Sequence, residues 1–278
     1  MRMEKEPSLP HRKIPATGES IPVLGLGTWK CFDVGPGAER NRLREVLDAL
    51  TRAGATVIDT SPMYGQAEET LGTLLPATGP SAQFIATKVW TRGRAEGVVQ
   101  MEKSLSLLGR KSVDLMQVHN LVDWQAHVPV LREWKAAGRI RYWGLTHYKA
   151  SEQAELERVA AAEKPDFIQI NYSLEESDAD IRLLPFAADH GIAVLANRPF
   201  GEGALFRKYR DRELPAAARA AGIDSWSALF LDHVLSHPAV TCAIPATGNP
   251  AHLAENVASA IRAASGAVPR RDWRKLIS

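Results

Sequence analysis

The run Val57-Ile58-Asp59-Thr60-Ser61-Pro62-Met63-Tyr64-Gly65 places a carboxylate at the end of a short β-branched stretch and a phenol five residues later. A helical pattern follows at 67–75. An acid at the C-terminal tip of a strand and a phenol in the loop beyond it stand where a parallel α/β protein keeps its chemistry. Two more strand-like runs end in reactive groups: 84–89 carries Lys88, and 113–118 leads into His119. A free tyrosine ionises near pH ~10, too high for ready proton donation at neutrality. A neighbouring lysine charge favours the phenolate and lowers that value. Asp59, paired with Lys88, would keep the ammonium charged and oriented. Tyr64 would then protonate a carbonyl oxygen as hydride reaches its carbon, with His119 positioning the oxygen. Taken singly, each group has a plainer reading: a loop cap, a packed ring, a snorkelling lysine, a hydrogen-bonded core histidine. Taken together on adjacent strand ends, the plainer reading needs four coincidences.

The elements that must hold these groups alternate without a break. Strands are expected over 24–28, 56–60, 84–89, 113–118, 141–145, 167–171, 192–197 and 240–244. Helices are expected over 39–53, 67–75, 96–108, 125–137, 152–162, 180–190, 213–221, 225–236 and 250–260. Strict β-then-α alternation means a parallel sheet, and eight repeats favour closure over an open doubly wound sheet. No G-x-G-x-x-G follows the first strand to support the open alternative. The expected fold is α/β, a single (β/α)8 TIM barrel over 1–278. Two short apolar runs around Ala16-Thr17-Gly18-Glu19-Ser20 predict a β-hairpin before it, kept off the central sheet by its prolines.

The chain has 278 residues, 45% hydrophobic and 24% charged, ordinary values for a globular protein. Its net charge of +2 balances 34 basic against 32 acidic residues, which argues against nucleic acid or an anionic membrane as partner. The basic stretches 207–210 and 270–275 read as solvated surface. Cys31 and Cys242 form neither a C-x-x-C nor a metal-type cluster, so free thiols in a reducing compartment and no metal are expected. Residues 1–10 are polar and charged, without the apolar core of a signal peptide, and read as a flexible lead-in. No apolar run approaches a membrane span. The expected address is the cytoplasm.

The chain resembles the aldo-keto reductase superfamily over nearly its whole length. Gly25-Leu26-Gly27-Thr28-Trp29 is similar to that family's opening strand, and Asp59-Thr60-Ser61-Pro62-Met63-Tyr64-Gly65 to its D-T-A-x-x-Y-G signature. Thr87-Lys88-Val89-Trp90, Asp114-Leu115-Met116-Gln117-Val118-His119 and Ile244-Pro245 follow at the matching strands. The resemblance implies a catalytic tetrad of Asp59, Tyr64, Lys88 and His119. It also implies a nicotinamide dinucleotide laid across the barrel top without a Rossmann fold, near Gly27, Thr28, Trp29 and Asp59. Thr146, His147 and Gln169 would face the carboxamide; Thr-His stands where relatives have Ser-Asn. Asn197, Arg198, Pro199, Phe200 and Gly201 follow strand seven, with Asn197 in place of a ring-stacking aromatic and Arg198 free to reach the pyrophosphate.

The loop after strand eight departs most from the family pattern. Relatives that take the 2′-phosphorylated cofactor show I-P-K-S and an arginine a turn later. Here Ala246-Thr247 and His252 stand there, followed by Glu255 and Asn256, so two fixed positive charges are missing. Asn249-Pro250 also reads as a well-made helix start, whose N-terminus would still attract phosphate. NADPH is expected ahead of NADH. Trp29, Trp90 and Trp124, beside Tyr64 and His119, would wall a pocket for a small carbonyl compound. The reading is an NAD(P)H-dependent oxidoreductase reducing aldehydes or ketones. The alternatives are a cofactor-binding regulatory protein of the same fold with little turnover and, on an unrelated barrel, a glycoside hydrolase. The last needs two carboxylates flanking a bond, whereas Asp59 has Lys88 as its natural partner.

Overall fold

The computed structural model describes residues 8–75, 83–264 and 270–277. The expected hairpin forms first: β1 (His11–Lys13) pairs antiparallel with β2 (Ser20–Pro22). β3 (Leu26–Gly27), α1 (Ala38–Arg52), β4 (Val57–Asp59), α2 (Ala67–Leu74), β5 (Phe84–Val89), α3 (Arg94–Leu107) and β6 (Val113–Val118) come next. They are followed by α4 (Trp124–Ala136), β7 (Ile140–His147), α5 (Gln153–Glu163), β8 (Phe167–Asn171), α6 (Leu183–Asp189) and β9 (Ala193–Asn197). α7 (Ala204–Tyr209), α8 (Ala216–Ala220), α9 (Trp226–Leu235), β10 (Cys242–Ala243) and α10 (Pro250–Ala264) complete the order.

β3 to β10 form one sheet in chain order with every pairing parallel. The sheet closes on itself through parallel bridges Leu24↔Ala243 and Gly27↔Ala246. Ala243 N donates to Val23 O at 2.8 Å, and Gly25 N donates to Ala243 O at 2.8 Å. The first and last strands are shorter than the sequence pattern, because only these few groups meet across the seam. α7 was not foreseen; its Leu205 and Tyr209 are buried beside α9, so a stretch read as charged surface is half core.

Side-chain alternation sorts the barrel into two compartments. Val57, Phe84, Leu115, Tyr142, Phe167, Ala193 and Leu195 point inward and pack with Ile14 and Ile21 of the hairpin. The hairpin thus plugs the N-terminal end of the barrel. Arg12 pins it there, donating to the carbonyls of Leu235, His237 and Val240 at the end of α9. The intervening residues, such as Ile58, Ile85, Met116, Trp143 and Leu145, face the helices in a second, larger core. Of the lead-in expected over 1–10, residues 1–7 lie outside the described residues. Leu9 is buried, and Pro10 O accepts a bond from Val23 N at 3.0 Å.

Candidate active site

Continuing the inward parity one step toward the C-terminal rim replaces the apolar layer by a polar one. Asp59 is the inward residue after Val57, Lys88 after Ala86, Gln117 after Leu115 and Gln169 after Phe167. These four meet. The Asp59 carboxylate accepts from Lys88 Nζ at 2.7 Å, from Gln169 Nε2 at 2.8 Å and from Gln117 Nε2 at 3.3 Å. Lys88 is wholly buried and also donates to Thr60 O at 2.8 Å. Gly144 makes this possible on the β7 side. A Cβ there would stand 2.9 Å from Phe167 O and 3.2 Å from Gln117 Cγ, displacing the glutamine that bonds Asp59.

Burial would pull the Lys88 ammonium down, but Asp59 and then Tyr64 outweigh it and lift its pKa above the ordinary value. The lysine is therefore a fixed positive charge. Its Nζ lies 5.1 Å from the centre of the Tyr64 ring. The loop carrying Tyr64 turns at Gly65, whose φ is +60°. A Cβ on Gly65 would fall 2.2 Å from the Asp33 carboxylate, which accepts from Gln66 N at 2.9 Å ahead of α2. The pairing of tyrosine with glycine in the motif thus has a steric cause.

Tyr64 differs from expectation in one respect. Burial raises its phenol pKa above the ordinary value, and the Lys88 charge, the largest opposing influence, does not reverse this. His119 completes the group: its ring meets Tyr64 edge-on with centres 5.9 Å apart, and its Nδ1 lies 3.1 Å from Ser61 Oγ. Burial, then the charges of Lys88 and His147, depress its pKa to about 2, so the imidazole is neutral. When the Ser61 hydroxyl donates to Nδ1, the ring proton sits on Nε2 and can be given to a ligand.

Asp59, Tyr64 and His119 open into a cavity of about 610 Å³ at the C-terminal rim, with Lys88 buried behind them, within the usual range for small-molecule sites. Gly27, Thr28, Trp29, Asp59, Tyr64, Trp90 and His119 line it. Thr146, Gln169, Asn197, Arg198, Pro199, Phe200 and Ala246 line it as well. Two buried polar atoms on these residues have no partner, Trp29 Nε1 and Asn197 Oδ1. Ala246 also borders two adjoining cavities, of about 540 and 390 Å³. Thr247 and His252 lie on both, and Glu255 and Asn256 on the smaller. An elongated trough thus runs from the tetrad to the start of α10.

Four expected members do not line these cavities, the first being Lys88, which is wholly buried behind Asp59. Trp124 opens α4 and packs on the core outside the barrel. His147 has the outward parity of β7; it stacks on Tyr148 and its Nδ1 accepts from Lys149 N at 3.2 Å. Gly201 turns the chain between Phe200 and Glu202, with φ +56°. Others were missed: Lys30, Met63, Asn120, Tyr148, Glu202 and Phe206 all line the main cavity. Tyr148 carries the Arg198 guanidinium 4.8 Å above its ring. Glu202 bonds both Lys30 and Arg198 at 2.9 Å, tying the loop after β3 to the loop after β9. Arg198 is therefore committed to protein partners. Counting by twos from Tyr142 would have chosen Tyr148 over His147.

The aldo/keto reductase family profile matches residues 23–265. The chain belongs to the aldo/keto reductase family. It is 28% identical to methylglyoxal reductase YeaE of Escherichia coli over 247 residues, 86% of this chain and 85% of the relative. It is 31% identical to aldo-keto reductase YhdN of Bacillus subtilis over 71% of this chain and 64% of that one. Among solved structures, an aldo/keto reductase from Klebsiella pneumoniae in complex with NADP and acetate superposes with a TM-score of 0.76 at 28% identity. The match covers 87% of each chain. Asp59, Tyr64, Lys88 and His119, the residues named by the resemblance, lie together in the structure.

Proposed function

We propose that this aldo/keto reductase reduces aldehyde or ketone carbonyls to alcohols with a nicotinamide dinucleotide, using Tyr64 as proton donor. The observation that carries the reading is a half-buried phenol and a neutral imidazole side by side on the floor of one open cavity, with a fixed lysine charge 5.1 Å behind the phenol ring. The trough suits a long ligand. Its unpartnered Trp29 Nε1 and Asn197 Oδ1 need hydrogen-bonding groups that a bound dinucleotide carries. Gln169, Thr146 and Asn197 would hold the nicotinamide end, and Thr247, His252, Glu255 and Asn256 the adenosine end. When bound, the cofactor supplies the hydride.

The chain's own residues do the rest. His119, neutral at all working pH values, donates a hydrogen bond to the carbonyl oxygen and sets its position. Tyr64 keeps its proton until negative charge develops on that oxygen, then releases it. Lys88 stabilises the phenolate left behind, and Asp59 holds Lys88 charged. The charged groups on the cavity wall are paired, Lys30 and Arg198 with Glu202. Trp29, Trp90, Tyr148 and Phe206 add aromatic rings to the rest of the wall. That lining favours small uncharged carbonyl compounds, and the relative named as a methylglyoxal reductase makes 2-oxoaldehydes a first class to assay. Two free cysteines, Cys31 and Cys242, support a reducing compartment such as the cytoplasm. No described helix is long and apolar enough to cross a membrane.

Titrating the purified protein with NADPH and then NADH, read by tryptophan fluorescence, tests the proposal. Quenching through Trp29, then cofactor oxidation on adding an aromatic aldehyde or a 2-oxoaldehyde, is expected. Binding without turnover on either substrate class would shift the reading to a cofactor-binding regulator. Failure to bind either cofactor would overturn it.

A further inference from the structure

After β10, Ala246 and His252 border the trough without a fixed positive charge. A different element brings a cation to the same place. Arg42 lies on α1, and a guanidinium nitrogen stands 3.8 Å from where a Cβ on Gly248 would be. With Gly248, Asn249 and His252 it lines the cavity of about 540 Å³. Among the described residues, no hydrogen bond or ion pair occupies Arg42. Lys30, on the same wall, is already bonded to Glu202 at 2.9 Å.

The neighbouring cavity of about 390 Å³ has a different character, with Phe200, Phe206 and Trp226 facing Glu255 and Asn256. Such a slot suits a flat aromatic base. Ala246, Thr247 and His252 belong to both cavities and form the partition between them. An adenosine seated on the aromatic side would present its ribose at that partition. A phosphate on the ribose 2′-oxygen would then enter the side that holds Arg42.

We propose that Arg42 of α1 binds the 2′-phosphate of the dinucleotide and sets a preference for NADPH over NADH. The inference rests on the reductase reading above and adds to it a specificity-determining residue from outside the loop after β10. A guanidinium matches a phosphate bidentately, and a charge-assisted pair is stronger than a neutral one. Glu39, one turn earlier on α1, also lines the cavity with the opposite charge and keeps the preference moderate.

The test is a set of binding titrations by tryptophan quenching on the wild type, Arg42→Ala, Arg42→Lys and Glu39→Gln. Removing Arg42 should raise the NADPH Kd by about tenfold to a hundredfold and leave the NADH Kd within about twofold. Arg42→Lys should recover part of the loss, and Glu39→Gln should tighten NADPH alone. Adenosine 2′-monophosphate should compete against the wild type and lose this ability with Arg42→Ala, while adenosine 5′-monophosphate competes equally against both. An unchanged NADPH Kd in Arg42→Ala, an equal loss of both cofactors, or weaker NADPH binding in Glu39→Gln would overturn the inference. So would a wild type that binds NADH but not NADPH, with the reductase reading left standing. A wild type that binds neither would overturn that reading itself.

Discussion

At the scale of single residues, the proposed reduction depends on three fixed protonation states. Lys88 stays charged because Asp59 faces it at 2.7 Å inside the protein. Tyr64 stays protonated because burial outweighs the lysine charge. Tyr64→Phe should therefore lower turnover by about 10²- to 10⁴-fold, the usual worth of a positioned proton donor, while cofactor quenching persists. Wild-type turnover in that variant would remove Tyr64 from the chemistry. Lys88→Met should lose turnover and stability together, since a buried carboxylate left without its partner costs about 3–5 kcal/mol; thermal melting read beside activity checks both. His119 supplies a pH prediction. Its pKa lies near 2, well under its ordinary value, so it takes up no proton between about pH 5 and 8. The pH profile of kcat/KM should show no step in that interval that disappears in His119→Gln. A step that does disappear would mean that His119 titrates during turnover. The grouping of Asp59, Tyr64, Lys88 and His119 was legible because each stands at or just beyond the end of a strand whose apolar run is plain in the sequence. Tyr148 was open to the parity of β7, but Arg42 and the link from Lys30 through Glu202 to Arg198 were not legible. They meet the site from loops or a helix far away in sequence, where no local pattern announces the contact.

At the scale of elements, what carries the site is the parity of the strands. A shift of one residue in β5 would send Lys88 outward and Thr87 inward, and outside the barrel Thr87 already bonds the buried Glu68. The helices show how much elements owe to partners outside themselves. α9 is capped by Ser225, whose Oγ accepts from Ala228 N at 3.2 Å, and it is buried from Ser227 to Leu235. Part of that cover comes from the tail. Trp273 is fully buried and donates from Nε1 to Asp232 Oδ2 at 2.7 Å. By sequence 270–275 reads as solvated surface, because one tryptophan among charges has no periodicity to reveal that it is core. Trp273→Ala should cost about 3–5 kcal/mol, as for other buried aromatic truncations, and should leave Asp232 without its donor. Urea unfolding measures it. A loss under about 1 kcal/mol would mean that the tail is not part of the folded core.

At the scale of the molecule, β/α alternation was enough to give the barrel, its single sheet and the rim that bears the chemistry. The linkages that close one end and one flank were beyond it. Behind β8 and α9, His233 and His237 both pack on Tyr172, with ring centres 5.3 and 5.8 Å away. Tyr172 donates to Asp180, which also holds Arg270 and Arg274 of the tail. Burial, then neighbouring arginines against the opposing pull of Asp180, brings both histidines down to about 4. Unfolded, each would titrate near ~6.5. As pH falls from that value toward about 4, the unfolded chain takes up protons that the folded chain refuses. Stability is therefore full above the unfolded pKa and falls with acidification, by about 1.4 kcal/mol per pH unit for each histidine. Glu68 and Asp232, whose carboxyl pKa values burial raises, act in the opposite sense, so a difference between variants is cleaner than the slope of the wild type. His233→Phe keeps a ring on Tyr172 and removes a buried Nε2 that has no partner. It should be no less stable at pH 7 and should flatten the loss of unfolding free energy between pH 6.5 and about 4 by one proton, about 1.4 kcal/mol per pH unit. A slope unchanged from the wild type would show that His233 is already protonated in the folded protein, which the unpartnered ring nitrogen and its burial among Tyr172 and the helices oppose.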